Sequence, residues 1–204
     1  MKNKRIIRWI LFIVGIVVLT FGARIILLSN LGVGGLDAVA IGLAEWTGMS
    51  IGTLIILLGI TLIIIGGCIN KHLDISPIGV SFIIGWAYDG WGRLLFNQLS
   101  SPTHKPYTGY VFLIGILIAP IGAALYILSK ISVGPVDYVM LAIRKRYSSS
   151  IQSSRVLLES TFVLIGWLVG GPIGVGTICI MLFWGPILQL YLKGLEGVLK
   201  KYTS

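Results

Sequence analysis

Two aspartates stand just beyond breaks in the chain. One break reads Gly34-Gly35-Leu36-Asp37 and the other Gly134-Pro135-Val136-Asp137. Both lie between strongly apolar runs, where an ionisable group is costly and usually has a task. Glycine and proline there interrupt a helix. The helix that restarts presents free N–H groups and a positive dipole end. Two uses of the carboxylates follow. Each caps its new helix, or each faces a cavity and binds a cation, a proton or an amine. The two uses overlap, because a capping carboxylate can still line a cavity.

Asp37 and Asp137, with Gly34, Gly35, Gly134 and Pro135 at the breaks, are therefore the first substrate- or ion-binding candidates. Glu159 is the deepest of the other acids and joins them. Arg24, near the outer end of the first apolar run, either snorkels outward or pairs with a carboxylate, and is the last candidate. Asp89 and Arg93 are four residues apart, as are Arg155 and Glu159, so each pair is placed to bridge on one helix face. His72 and His104 fall in turns and read as solvated. Cys68 and Cys179 spell no metal spacing and read as buried, inert thiols. No metal and no cofactor is expected. Gly-x-Gly-Asp and His-Glu-x-x-His are both absent, and no Ser/His pairing is evident, so the chain is not expected to be an enzyme.

These residues must be held by elements suited to lipid. The 204-residue chain is 56% hydrophobic and 11% charged. A soluble domain carries about 25% charged residues, so most of this surface must face a bilayer. The net charge of +9 is not a nucleic-acid signal, because the basic residues sit at the ends of apolar runs. The basic N-terminal head precedes an apolar stretch too long for a signal peptide, which reads as an uncleaved first span. Six long apolar segments run approximately over 9–29, 51–69, 75–95, 107–129, 151–169 and 173–192. Two shorter ones, 36–47 and 136–146, are too short to cross comfortably, since a helical span needs roughly 20 residues.

The two halves repeat. "LLSNLGVGGLDAV" and "ILSKISVGPVDYV" align at an offset of one hundred residues. At that offset Gly15, Gly22, Ser29, Val33, Gly34, Asp37, Ser50, Thr61, Gly66 and Gly85 all recur. The last third is less clean: "PIGV" at Pro77 matches "PIGV" at Pro172 only at an offset of 95, which conflicts with pairing Gly85 to Gly185. The chain reads as a single membrane domain over 1–204, with halves at approximately 8–96 and 108–192 and a connector at 97–107.

Each half then offers three spans and one short broken segment. If the short segments do not cross, the second half lies upside down relative to the first. Charge agrees with that reading. Lys2, Lys4, Arg5 and Arg8 place the N-terminus inside. The short segment of the first half carries Ala44, Glu45 and Trp46 where the second carries Arg144, Lys145 and Arg146. Only Arg93 and Lys105 oppose it. A model with eight crossings is not excluded by charge, but segment length disfavours it. The expected fold is an all-α polytopic membrane protein, with about six transmembrane helices in two inverted three-helix repeats, each with a re-entrant segment.

The runs "ALYILSKISVGPVDYVMLAI" and "LLESTFVLIGWLVGGPIGVGTICIMLFWGPILQL" resemble the YczE/YyaS/YitT-type integral membrane proteins, closest to the YczE-like branch. The resemblance is strong from Gly122 to Leu190 and weaker in the first half, where Gly35 stands in place of Pro135. It implies a multi-pass protein of the bacterial inner membrane and no settled activity. With the charges, it places both termini in the cytoplasm. The leading functional expectation is a small permease or secondary transporter, because opposed broken helices are the usual frame of a central transport site. The alternative is an accessory membrane protein that docks or stabilises an enzyme or complex. The expected partners are the lipid bilayer and a small solute or ion, with room for a homodimer; nucleic acid is not expected.

Overall fold

The computed structural model describes residues 2–96, 99 and 105–203, with side chains described for 5–96, 99, 107–150 and 152–197. Most of the proposed connector, with His104, lies outside the described residues. Eight helices follow in order among the described residues: α1 Lys2–Leu28, α2 Gly35–Thr47, α3 Ile51–Asn70, α4 Ser76–Leu94, α5 Lys105–Leu128, α6 Pro135–Tyr147, α7 Ile151–Leu168 and α8 Val175–Thr203.

Four of them contain stretches long and apolar enough to cross a membrane: Arg5–Leu28, Ile51–Asn70, Tyr107–Leu128 and Val175–Gly197. The sequence predicts six such segments. The two that differ are α4 and α7, at 19 and 18 residues. They are diluted by the polar groups they bring inward, Tyr88 and Asp89 on α4 and Arg155 and Glu159 on α7. The outer surface is apolar: Ile64, Leu113, Leu164 and Phe183 are all exposed. Trp46, Tyr107, Tyr147 and Trp167 are exposed near helix ends, where aromatic rings suit the membrane–water boundary.

α1 and α5 form the closest pair and run antiparallel. Gly15 meets Tyr126, Gly22 meets Ala119, Gly122 meets Leu19 and Gly115 meets Ile26. A Cβ on Gly22 would lie 2.5 Å from the Ala119 backbone nitrogen, and one on Gly122 would lie 2.2 Å from that of Leu19. Only glycine permits that approach, as is common where membrane helices pack. These contacts come in exchange-related pairs. Adding one hundred to the first partner and subtracting it from the second turns Gly15–Tyr126 into Gly115–Ile26, and Gly22–Ala119 into Gly122–Leu19.

The same exchange governs the short helices. α2 runs alongside α7, with Gly35 at Phe162, Ala38 at Gly166 and Gly42 at Val169. α6 runs alongside α3, with Pro135 at Gly59 and Tyr138 at Gly66. Backbone conformations repeat as well. Asn30 and Lys130 are left-handed at φ 55° and 54°, and Gly48 and Ser148 at 71° and 51°, each just after a helix end, where that conformation closes the last turn. Ser50 and Ser150 cap α3 and α7 by accepting N–H bonds from Thr53 and Ser153 at 3.1 and 3.0 Å. In the last third, Gly85 meets Gly52 and Gly185 meets Gln152. That contact pattern follows the offset of one hundred rather than 95.

Two expectations need correction. Cys68 is exposed and Cys179 half-buried; an apolar thiol gains nothing from burial when the outer surface is itself apolar. Asp89 also faces Arg24 rather than Arg93, as the site geometry shows.

Candidate functional site

α2 and α6 are 13 residues each, about 20 Å at 1.5 Å per residue. That is shorter than the roughly 30 Å hydrocarbon core. Both begin at one cavity of about 160 Å³, lined by parts of seven helices (α1 and α3–α8) and the start of α2. Equivalent positions of both halves line it, among them Gly34 and Gly134, Asp37 and Asp137, Ile55 and Arg155, Gly59 and Glu159, and Tyr88 and Leu188. The wall is symmetric in position and asymmetric in chemistry.

Gly34 and Gly134 are the N-caps of the short helices, extended at φ −60°, ψ 153° and φ −70°, ψ 159°. Neither glycine has a side chain with which to cap its own helix. Asp37 and Asp137 sit at the third helical position instead, so capping does not account for either. A Cβ on Gly34 would sit 3.6 Å from both the Asp37 and the Glu159 carboxylates; one on Gly134 would sit 3.1 Å from the Tyr126 hydroxyl and 3.3 Å from Asp137. The missing side chains leave that volume to the acids.

A polar chain crosses the cavity. The Gly35 N–H donates to Glu159 Oε1 at 2.6 Å. Arg155 lies 3.9 Å from Glu159 Oε2 and 3.4 Å from Asp137 Oδ1. The Tyr126 hydroxyl donates to Asp137 Oδ2, and Arg155 also stands 5.7 Å from the Trp184 ring centre. Glu159 and Arg155 thus form the expected i, i+4 pair, here extended on both sides.

Arg24 stands beside this chain, buried at 9% exposure. Its Nε donates to the Tyr88 carbonyl at 2.9 Å, its guanidinium lies 4.1 Å from the Tyr88 ring centre, and Nη2 is 3.9 Å from Asp89. It pairs inward rather than snorkelling. Asp89 in turn accepts the Gly52 N–H at 2.8 Å.

The charges therefore sort into sets. Arg24 faces Asp89. Arg155 is shared by Asp137 and Glu159. Asp37 lines the cavity with no hydrogen bond or ion pair among the described residues. The Tyr88 hydroxyl is buried and also lacks a partner. The sequence pointed to Asp37, Asp137, Glu159, Arg24 and the breaks, and the structure brings all of them to this cavity or its edge. It did not single out Tyr88 or Tyr126 as site residues. One signal was available: a tyrosine at 126 where the other half has Ile26, and one at 88 where it has Leu188.

The chain is an integral membrane protein, and it belongs to a family of unknown function, DUF6198, which matches residues 6–193. Among its relatives are two proteins of Bacillus subtilis, uncharacterized protein YyaS, 28% identical over 90% of this chain and 91% of its own, and uncharacterized membrane protein YczE, 27% identical over 94% and 88%. An uncharacterized protein of Haemophilus influenzae is 28% identical over 86% of this chain and 79% of its own. No solved structure matches.

Proposed function

We propose that the protein is a small secondary transporter of the bacterial inner membrane whose solute binds in the cavity between the two halves. In this reading α1, α3, α4, α5, α7 and α8 cross the membrane, and α2 and α6 are re-entrant helices entering from opposite sides. The halves are then inverted repeats, with both termini cytoplasmic. The antiparallel α1–α5 pair and the exchange-related contacts support this, because a two-fold relation between antiparallel spans places its axis in the membrane plane. The charge contrast between Ala44-Glu45-Trp46 and Arg144-Lys145-Arg146 supports the same arrangement.

One observation carries the transport reading. Two broken helices of opposite halves begin at a shared, partly polar cavity, and a carboxylate in it, Asp37, has no partner among the described residues. Irregular backbone at membrane depth is tolerated where it is buried in protein or lines a water-filled cavity. A scaffold has no need of such a cavity; a carrier does. The test is whether a cysteine on the cavity wall is reached by an impermeant reagent from each side of the membrane. Reaction from both sides is expected, and a wall never reached from one side overturns the reading.

A further inference from the structure

We infer that the solute is a small amine with an apolar body, its ammonium set against the Asp37 carboxylate and one of its N–H groups donated to the Tyr88 hydroxyl. This rests on the transport reading of the same cavity.

Three carboxyl groups, Asp37, Asp137 and Glu159, line the cavity against one guanidinium, Arg155. Arg155 is engaged by Asp137 and Glu159, and Arg24 by Asp89. That leaves Asp37 as the acid without a cation. An anionic solute would face it directly, whereas a cation supplies what it lacks.

A second observation is independent of the acids. Tyr88 is 1% exposed, lines the same cavity, and holds a hydroxyl with no hydrogen-bond partner among the described residues. Buried polar groups are almost always paired, so an orphan hydroxyl beside a binding space marks a place the ligand completes. Tyr88 and Asp37 line the same cavity. An amine bound there can give a charge-assisted bond to the carboxylate and a second N–H to the phenol oxygen.

The rest of the wall argues for a carbon body on that ammonium. Ile55, Ile84, Ile180 and Trp184 line it, and the Trp184 ring already faces one cation in Arg155. A bare metal ion would need several converging oxygen ligands. Among the described residues no three His, Cys, Asp or Glu side chains converge in that way. A cavity of about 160 Å³ is comparable to one of about 150 Å³ that accepts benzene, so a single ring or its aliphatic equivalent is the scale.

The experiment uses the full chain in detergent and three probes sharing one ring: benzylamine, benzyl alcohol and benzoate. At neutral pH they are cationic, neutral and anionic. Benzylamine alone should raise the apparent melting temperature, as any ligand of the folded state does. Asp37→Asn should abolish that shift, Tyr88→Phe should weaken binding about tenfold, the effect of one lost hydrogen bond, and Asp74→Asn, in an exposed loop, should leave it unchanged. Equal binding of the alcohol or benzoate, an unaltered benzylamine response in a folded Asp37→Asn variant, or no binding by any probe overturns the inference. If Asp37→Asn does not fold, the probe series on the parent and the Tyr88→Phe variant still decide. Cavity access from both sides needs no ligand, so the transport reading stands or falls separately.

Discussion

Glu159 on α7 accepts the backbone N–H of Gly35 at 2.6 Å, so the second half of the chain terminates the short helix of the first. The opposite half cannot make this bond. Pro135 has no N–H to give, and Gly59 has no carboxylate to receive it; the two pack together instead, a Cβ on Gly59 falling 3.2 Å from Pro135 Cγ. Both partners differ together. The symmetric frame therefore holds one helix start whose first N–H is bonded to a carboxylate and one that begins with proline packed on glycine.

Glu159→Gln keeps the size and one acceptor but removes the charge that Arg155 shares with Asp137. Arg155→Met removes the guanidinium while keeping most of the side-chain stem. Residues in one network are non-additive, with coupling of about 0.5–3 kcal/mol. A double-mutant cycle on these two positions, read by chemical denaturation in detergent, should give a coupling in that range. Additive effects would show that the 3.9 Å approach carries no energy.

The two aspartates should behave differently, although the sequence gives them equal standing. Asp37 has no partner to lose among the described residues, so Asp37→Asn should cost less stability than Asp137→Asn while abolishing uptake. Asp137→Asn should weaken its bonds to Tyr126 and Arg155 and cost about 1–3 kcal/mol. Thermal melts of both variants, at equal membrane abundance, check the order. Equal costs would place Asp37 in a structural network too.

Glycines that look alike in sequence should separate sharply. Gly115 meets the Ile26 backbone nitrogen, with a Cβ there only 2.9 Å away, so Gly115→Leu should overpack the α1–α5 crossing and cost about 1–3 kcal/mol or more. Gly79 has nothing within 4 Å of an added Cβ, and Gly79→Ala should stabilise α4 by about 0.5–1 kcal/mol. Gly34→Leu should leave the melt closer to the parent than Gly115→Leu does, yet abolish uptake, because its side chain enters the space between Asp37 and Glu159. Similar melts for the Gly34 and Gly115 variants would remove this distinction.

Much of the site was legible because glycine and proline mark breaks by mechanism, and because a repeat at a fixed offset names equivalent positions. Asp37, Asp137 and their breaks were found that way. What stayed hidden depends on contacts between helices. Tyr88 and Tyr126 in apolar runs look like core aromatics until the cavity is seen. The Asp89–Arg93 spacing suggested a bridge along one helix, whereas α1 brings Arg24 to Asp89 from 65 residues away. Capping looked natural for an aspartate after a glycine, but each aspartate falls at the third position of its helix. Hydropathy marks four helices as spans for a related reason: α4 and α7 carry Asp89, Arg155 and Glu159 toward the interior, which lowers their apolar signal without shortening them.

The placement of the halves is open to a direct check. A single cysteine at Glu45 should be labelled by an impermeant reagent from outside, and one at Lys145 only from inside. Both residues are exposed, near the C-terminal ends of α2 and α6. Labelling of both from the same side would end the inverted arrangement.

The most direct measurement of the central claim uses the cavity itself. Ala23 is small, half-buried and on the cavity wall, so Ala23→Cys, with Cys68 and Cys179 replaced by alanine, alters the wall little. Oriented membranes would be treated with an impermeant cationic thiol reagent from each side in separate experiments, with the Glu45 and Lys145 cysteines as surface controls. An alternating carrier exposes its site to each side in turn, so the Ala23 cysteine should react from both, more slowly than the controls. Reaction from one side only, or from neither while the controls react, would contradict the account.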